Sequence, residues 1–187
     1  MCIRDRHRTV WGLQEQLQHG KFRPESFEVS FGGGRIDRVD VMEEENQVYV
    51  KVIDYKTGNT TFDLVYLYYG LQLQLMIYLD GALSVEKKKY PGKEVLPAGV
   101  FYYNVKDPMI KEKIDADVEA VSSRILKELK MNGLVRADRE MIEKMDRSLA
   151  VSYTHLDVYK RQPHELPRCG TQRLCQNRKR NYFSFLF

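Results

Sequence analysis

Gly34-Arg35-Ile36-Asp37-Arg38-Val39-Asp40 and Gln47-Val48-Tyr49-Val50-Lys51-Val52-Ile53-Asp54-Tyr55-Lys56 decide the fold of this chain. Across residues 35–42, Ile36, Val39 and Val41 are set against charged partners, the pattern of a strand. Residues 47–54 are rich in β-branched side chains and predict the next strand. Glu43-Glu44-Glu45-Asn46 between them is a polar hairpin turn. If the two strands pair as a hairpin, Asp37, early in one, and Asp54, at the end of the other, lie near the same sheet end.

Two carboxylates brought together repel, which raises a pKa unless a cation neutralises them. Mg²⁺ takes hard oxygen ligands and usually accepts one or two carboxylates plus waters and substrate phosphates. Asp37 and Asp54 suit that demand. Lys56 follows Asp54 by two residues, so on an extended chain both point to one face. An ammonium there can orient an attacking water or offset charge developing on phosphorus. Tyr55 points the other way, toward packing. Taken alone, Asp-x-Lys is a weak signal and reads more readily as a surface ion pair at a strand end, worth little.

Outward from this hairpin the pattern stays mixed. Upstream, residues 8–19 place Val10, Leu13 and Leu17 at helical spacing, with Gly20 as a stop. In residues 26–31, Phe27, Val29 and Phe31 alternate with Ser26, Glu28 and Ser30, a half-buried strand, and Gly32-Gly33-Gly34 is a turn. Downstream, residues 64–83 predict one long apolar helix with Asp63 as N-cap. Residues 84–96 read as a charged loop, 98–104 as a strand, and 116–130 and 138–149 as amphipathic helices. The order α-β-β-β-α-β-α-α fits an α/β sandwich around a mixed central sheet flanked by helices.

The chain has 187 residues, enough for one domain and a tail, and its 43% hydrophobic content is that of a globular protein. No run approaches the ~20 apolar residues of a membrane span. The opening Met-Cys-Ile-Arg-Asp-Arg lacks the apolar core of a signal peptide, so the expected compartment is the cytoplasm. The net charge of +4 suggests a polyanion partner, but its distribution says otherwise. Residues 1–6 hold two basic side chains and one acid, and residues 151–187 hold seven and two. Of 30 basic and 26 acidic residues in all, 21 and 23 remain for residues 7–150. The basic excess therefore sits at the ends.

So do the cysteines, Cys2, Cys169 and Cys175, the last two spaced C-x5-C with only His164 nearby, poor spacing for a metal. Residues 1–6 and 151–162 resemble translated sequencing-adaptor read-through, and nothing after Gln162 shows a helical or strand period. Residues 1–6 are accordingly read as artefactual, 7–150 as the domain, and 151–187 as an artefactual or disordered tail. The alternative for the tail is a basic arm that grips phosphates.

Three segments carry a resemblance to a known family. Gly34–Asp40, then Val52-Ile53-Asp54-Tyr55-Lys56-Thr57-Gly58, then Tyr69-Gly70-Leu71-Gln72-Leu73-Gln74-Leu75-Met76-Ile77-Tyr78-Leu79 resemble, in order, the motifs of RecB-type PD-(D/E)xK nucleases. The wording is most similar to the AddB group of bacterial ATP-dependent helicase/deoxyribonucleases. Phe22-Arg23-Pro24 and Phe27–Phe31 extend the similarity upstream, and it covers roughly residues 7–150. The resemblance implies a partial PD-(D/E)xK restriction-endonuclease-like domain and a Mg²⁺-dependent exonuclease activity on DNA. It implies Asp37 and Asp54 as metal ligands, Lys56 as the catalytic lysine, and Gln74 and Tyr78 as the family's Gln-x-x-x-Tyr, i and i+4 on one helix face. Glu28 is a candidate further ligand, or else a solvent-facing strand residue.

The resemblance further implies a helicase–nuclease A subunit as partner and a role in double-strand break repair by recombination. Two departures stand out. The Phe31–Gly34 connection is short for the group, and the cysteines that hold the group's iron–sulfur cluster are absent. No Gly-x-x-x-x-Gly-Lys-Ser/Thr is present, so ATP binding is not expected of this piece. The competing expectation is a non-catalytic nucleic-acid-binding or scaffold fragment that keeps the nuclease fold.

Overall fold

A computed structural model describes residues 3–32, 34–110, 117–145 and 185–186. A six-stranded mixed sheet runs in chain order: β1 (Arg23–Phe31), β2 (Gly34–Glu43), β3 (Gln47–Lys56), β4 (Glu94–Asn104), β5 (Asn132–Arg136) and β6 (Phe185–Leu186). Only β3 and β4 pair in parallel; the other neighbours are antiparallel. The helices are α1 (Ile3–His19), α2 (Leu64–Tyr68), α3 (Gln74–Lys89), α4 (Val118–Glu128) and α5 (Arg139–Met145). The α/β architecture and the expected hairpin are both present. The β2–β3 hairpin holds Arg38 against Ile53 and Val39 against Val52, and closes where Glu44 N–H donates to the Gln47 carbonyl at 2.8 Å. The parallel step to β4 requires a crossover, which α2 and α3 supply.

The first sheet face is apolar. Val39, Val41, Val48, Val50, Val52 and Val100 are buried there under Leu75, Leu79 and Ala82 of α3, which recur at i, i+4 and i+7. Each such Val or Leu, fully buried, contributes roughly 1.5–3 kcal/mol of transfer free energy. The opposite face carries Phe22, Met42, Tyr49 and Ala98 against Met141, Ile142 and Met145 of α5.

The second face buries the charged residues of β2. Arg38, Asp40 and Lys51 are 3%, 0% and 5% exposed. They form one ion cluster: Asp40 accepts from both arms of the Arg38 guanidinium and meets Lys51 Nζ at 2.9 Å. The physical reason is that β2 is sandwiched. With both faces covered, strand residues of either parity are buried, and charged ones persist only as pairs.

Further expectations change. The long helix over 64–83 is broken into α2 and α3. Asp63 does cap α2, accepting from the N–H groups of Val65 and Tyr66. The break comes at Gly70, whose φ of 75° favours glycine. Its N–H donates to the Leu67 carbonyl and that of Leu71 to Tyr66, the paired bonds of a Schellman stop. Conversely, α3 runs on to Lys89, through much of the segment read as a charged loop. In α1, Val10 is exposed, and the buried positions are Thr9 and Gly12. Gly12 packs so near the Tyr103 hydroxyl that a Cβ would stand 2.9 Å from it. The helix also begins at Ile3 and takes in residues 3–6. The helix expected over 138–149 is described as far as Met145.

Strand β5 was not expected from sequence. It lies against β4, with Gly133 opposite Phe101. A Cβ on Gly133 would sit 1.9 Å from the Val100 carbonyl oxygen and 2.8 Å from the Phe101 Cα, both backbone atoms with little room to yield. Gly133→Ala is therefore expected to cost about 2–3 kcal/mol, the upper range for overpacking. Urea denaturation would read this as a lowered midpoint at unchanged slope.

Candidate active site

Where the valine stripe of the α3-facing sheet surface runs out, charged and polar groups take over. Extending the hairpin register one step beyond Arg38 and Ile53 sets Asp37 opposite Asp54. Asp37 is anchored by the strand between the other two residues of interest, since the Tyr55 N–H donates to its Oδ2 at 2.8 Å. Asp54 is 3% exposed. Lys56 projects from the same face, as i and i+2 on a strand must, and its Nζ meets Asp54 Oδ2 at 2.6 Å. Tyr55 points to the other face, where its hydroxyl accepts from Arg38 Nη1 at 3.2 Å and its ring stands edge-on to Tyr103. The buried ion cluster thus steadies the residue that separates Asp54 from Lys56.

The helix break brings in the next two residues. Because α2 stops at Gly70, α3 restarts with Gln74 in its first turn, above the end of β3. Gln74 Oε1 accepts from Lys56 Nζ at 2.9 Å, and Gln74 Nε2 donates to the Tyr78 hydroxyl at 2.9 Å. Tyr78 is braced edge-on by Phe31. Asp54, Lys56, Gln74 and Tyr78 thereby form one continuous polar chain, with Asp37 beside it. Glu28 stands apart from that chain. It lies on β1 with a φ of 50°, its side chain is 70% exposed, and its carboxylate pairs with Arg35 at 3.3 Å.

Burial pushes the Asp54 carboxyl above its usual range. Lys56 opposes the shift, and the negative charge of Asp37 adds to it. Asp54 Oδ2 meets the Lys56 ammonium as an ion pair, yet no well-oriented hydrogen bond reaches that oxygen among the described residues. A buried carboxylate oxygen without a directed donor, beside a second carboxylate, is a place that accepts a hard cation. Two carboxylates also match the one or two that Mg²⁺ takes from protein, leaving its other positions to waters and phosphate oxygens. No group of three or more His, Cys, Asp or Glu placed to hold a metal ion occurs among the described residues, so this pair is the donor set at hand. Cys2, His164, Cys169 and Cys175 lie outside the described residues.

Sequence reasoning missed the residues that pin the segment between Lys56 and α2. Asn104 holds Thr60 through both its amide groups, accepting from the Thr60 N–H at 3.0 Å and donating to its carbonyl at 2.9 Å. Asn132 accepts from the Phe62 N–H at 2.6 Å. Gln72 accepts from the Asp63 N–H and donates to the Thr61 carbonyl. Two amides at strand ends and one between helices are a faint signal, because any one of them reads as ordinary surface. Tyr102 was also missed. It is 3% exposed, pairs with Asp54 across β3 and β4, and its ring lies 5.4 Å from Lys56 Nζ.

Residues 4–177 match the PD-(D/E)XK nuclease superfamily. The chain belongs to that superfamily. Asp54-Tyr55-Lys56 at the end of β3 has the spacing of the (D/E)XK in the superfamily's name. Among curated relatives, the B-type polypeptide of an ATP-dependent helicase/deoxyribonuclease from Lachnoclostridium phytofermentans is 48% identical over 149 residues, covering 75% of this chain and 13% of that protein. Proteins of the same name from Alkaliphilus metalliredigens and Thermoanaerobacter sp. are 44% and 38% identical, covering 79% and 75% of the chain and 14% of each relative. The chain thus spans about one seventh of the length of the curated relatives it matches. Among its described residues no helix is long and apolar enough to cross a membrane.

Proposed function

We propose that this superfamily member hydrolyses DNA phosphodiester bonds with Mg²⁺ held between Asp37 and Asp54, as the nuclease part of a helicase–nuclease polypeptide. The observation that carries the reading is the continuous chain Asp54–Lys56–Gln74–Tyr78 beside Asp37, built from three sequence-distant segments. A bound Mg²⁺ supplies Lewis-acid polarisation of phosphate and water. The chain's own residues do the rest. Asp37 and Asp54 present hard oxygens. Lys56 places a positive charge against the phosphate as negative charge develops there. Gln74, held by Tyr78, keeps Lys56 aimed and offers a polar edge to the DNA backbone. Glu28, tied to Arg35 at the rim, is at most a further ligand from β1.

The wider assignment rests on the family resemblance, and the relatives' names support only its helicase/deoxyribonuclease part. The partner is a helicase–nuclease A subunit, the substrate is DNA at double-strand breaks processed for recombination, and the compartment is the cytoplasm. The nuclease part is residues 7–150, with 1–6 and 151–187 outside it. The iron–sulfur cluster of the AddB group is not assigned to this chain.

Melting curves of Asp54→Asn test the metal site directly. A carboxyl whose folded pKa is raised above its ordinary 3.8 stabilises the fold only at low pH, and that contribution is lost as pH rises through the folded value. At pH 8 in EDTA, Asp54→Asn is therefore expected to melt a few degrees above the parent protein, the gap closing as pH falls. Adding Mg²⁺ at about 100 times its dissociation constant raises the parent by roughly 2.7 kcal/mol and reverses the order. An equal gain from Mg²⁺ in both proteins would remove Asp54 from the metal site.

A further inference from the structure

We propose that Tyr102 is a positioning residue that holds the Lys56 ammonium in place, an assignment that rests on the nuclease reading above and deepens it. Lysine carries its charge on a flexible four-carbon stem whose freedom is worth about 2 kcal/mol. A useful catalytic lysine must be held. Asp54 Oδ2 attracts it as an ion pair at 2.6 Å, and Gln74 Oε1 accepts one of its three N–H groups at 2.9 Å. The face of the Tyr102 ring supplies a further wall, 5.4 Å from Nζ, inside the ~6 Å reach of a cation–π contact.

The fold fixes that ring. Parallel pairing sets Tyr102 beside Asp54 and Asn104 beside Lys56, so the ring lies on the face from which both Asp54 and Lys56 project. It is 3% exposed and packed in the cluster with Leu75, Leu79 and Val100, so it cannot swing away. The chemistry of the wall matters. With Asp54 holding a divalent cation, Lys56 would have a weaker anionic partner. Gln74 and the Tyr102 ring remain, and both attract an ammonium without a formal negative charge that would compete for the metal.

The test uses the full chain and two variants, Tyr102→Phe, which keeps the ring, and Tyr102→Leu, which removes it. The first readout is the NMR signal of the Lys56 ε-methylene protons in ¹³C-lysine-labelled protein, identified by its loss in Lys56→Arg. A ring face above the ammonium shifts these protons upfield. The shift is expected in the parent and in Tyr102→Phe, and is expected to vanish in Tyr102→Leu. The second readout is DNA hydrolysis with Mg²⁺. Tyr102→Leu should lose about tenfold in kcat with KM little changed, whereas Tyr102→Phe falls by no more than about threefold. An unshifted Lys56 signal in the parent overturns the proposal, whether or not the chain cleaves DNA and even if Tyr102→Leu fails to fold. Equal losses of kcat in the two variants overturn it as well, because they assign the effect to the hydroxyl. Absence of cleavage in the parent with the shift present sinks the nuclease reading and, with it, the positioning role, while leaving the ring contact standing.

Discussion

Lys56→Ala is expected to lower Mg²⁺-dependent DNA hydrolysis by about 100- to 1000-fold, the loss typical of removing one preorganised group that stabilises transition-state charge. The same change should leave Mg²⁺ affinity intact or slightly increase it. The geometry explains the split. Lys56 Nζ lies 2.6 Å from Asp54 Oδ2, so the ammonium and an incoming cation compete for one oxygen. Removing the ammonium frees that oxygen while deleting the charge that faces the phosphate. Lys56→Arg should recover little, because the planar fork of a guanidinium does not reproduce a compact ammonium held between Asp54 and Gln74. Single-turnover cleavage at saturating Mg²⁺, beside calorimetric Mg²⁺ titration, separates the two effects. A parallel fall in rate and metal affinity would make Lys56 part of the metal site instead.

Asp40→Ala is the substitution expected to damage the fold most. It leaves the guanidinium of Arg38 and the ammonium of Lys51 buried, 3% and 5% exposed, without the carboxylate that joins them. Removing one partner of a buried ion cluster costs about 3–5 kcal/mol, which for a domain of this size lowers Tm by about 10 °C or more. Asp40→Asn retains hydrogen bonding to Arg38 and should cost less. Replacing all three residues by apolar ones of similar volume should return most of the stability, since desolvation offsets much of what an ion cluster contributes. Activity would fall further than stability alone predicts, because Arg38 also holds the Tyr55 hydroxyl, and Tyr55 separates Asp54 from Lys56. Scanning calorimetry of the single and triple variants orders these effects. If Asp40→Ala melted with the parent, the cluster would not be what steadies β2 and β3.

Much of the site was legible in the sequence because strands have a period of two. Asp54 and Lys56 had to share a face, and a polar turn at residues 43–46 had to bring Asp37 back toward Asp54. Gln74 and Tyr78 came from the family resemblance, and i, i+4 spacing accounts for the hydrogen bond between them. What pattern could not supply was context. Nothing in the alternation of β2 says whether its charged parity faces water or a second layer of helices, so the Arg38–Asp40–Lys51 cluster was invisible. The stop at Gly70 was readable in principle, since a glycine after an apolar run is a helix-ending signal, but the apolar period resumes so soon that one long helix fits equally well. β5 is short, and its Gly133 gives no strand signal; only a neighbour's close approach explains it. Tyr102 had no motif at all. Its place beside Lys56 comes from the β3–β4 register, which is a property of the folded sheet.

The site itself is most directly tested by cleavage of an end-labelled DNA strand by the full chain and by Asp54→Ala, each in Mg²⁺ and in EDTA. Products from the parent in Mg²⁺ alone, with the variant slower by about 1000-fold or more, are the expected result. Equal cleavage by parent and variant, or cleavage that persists in EDTA, would contradict a metal-dependent nuclease site built on Asp37, Asp54 and Lys56.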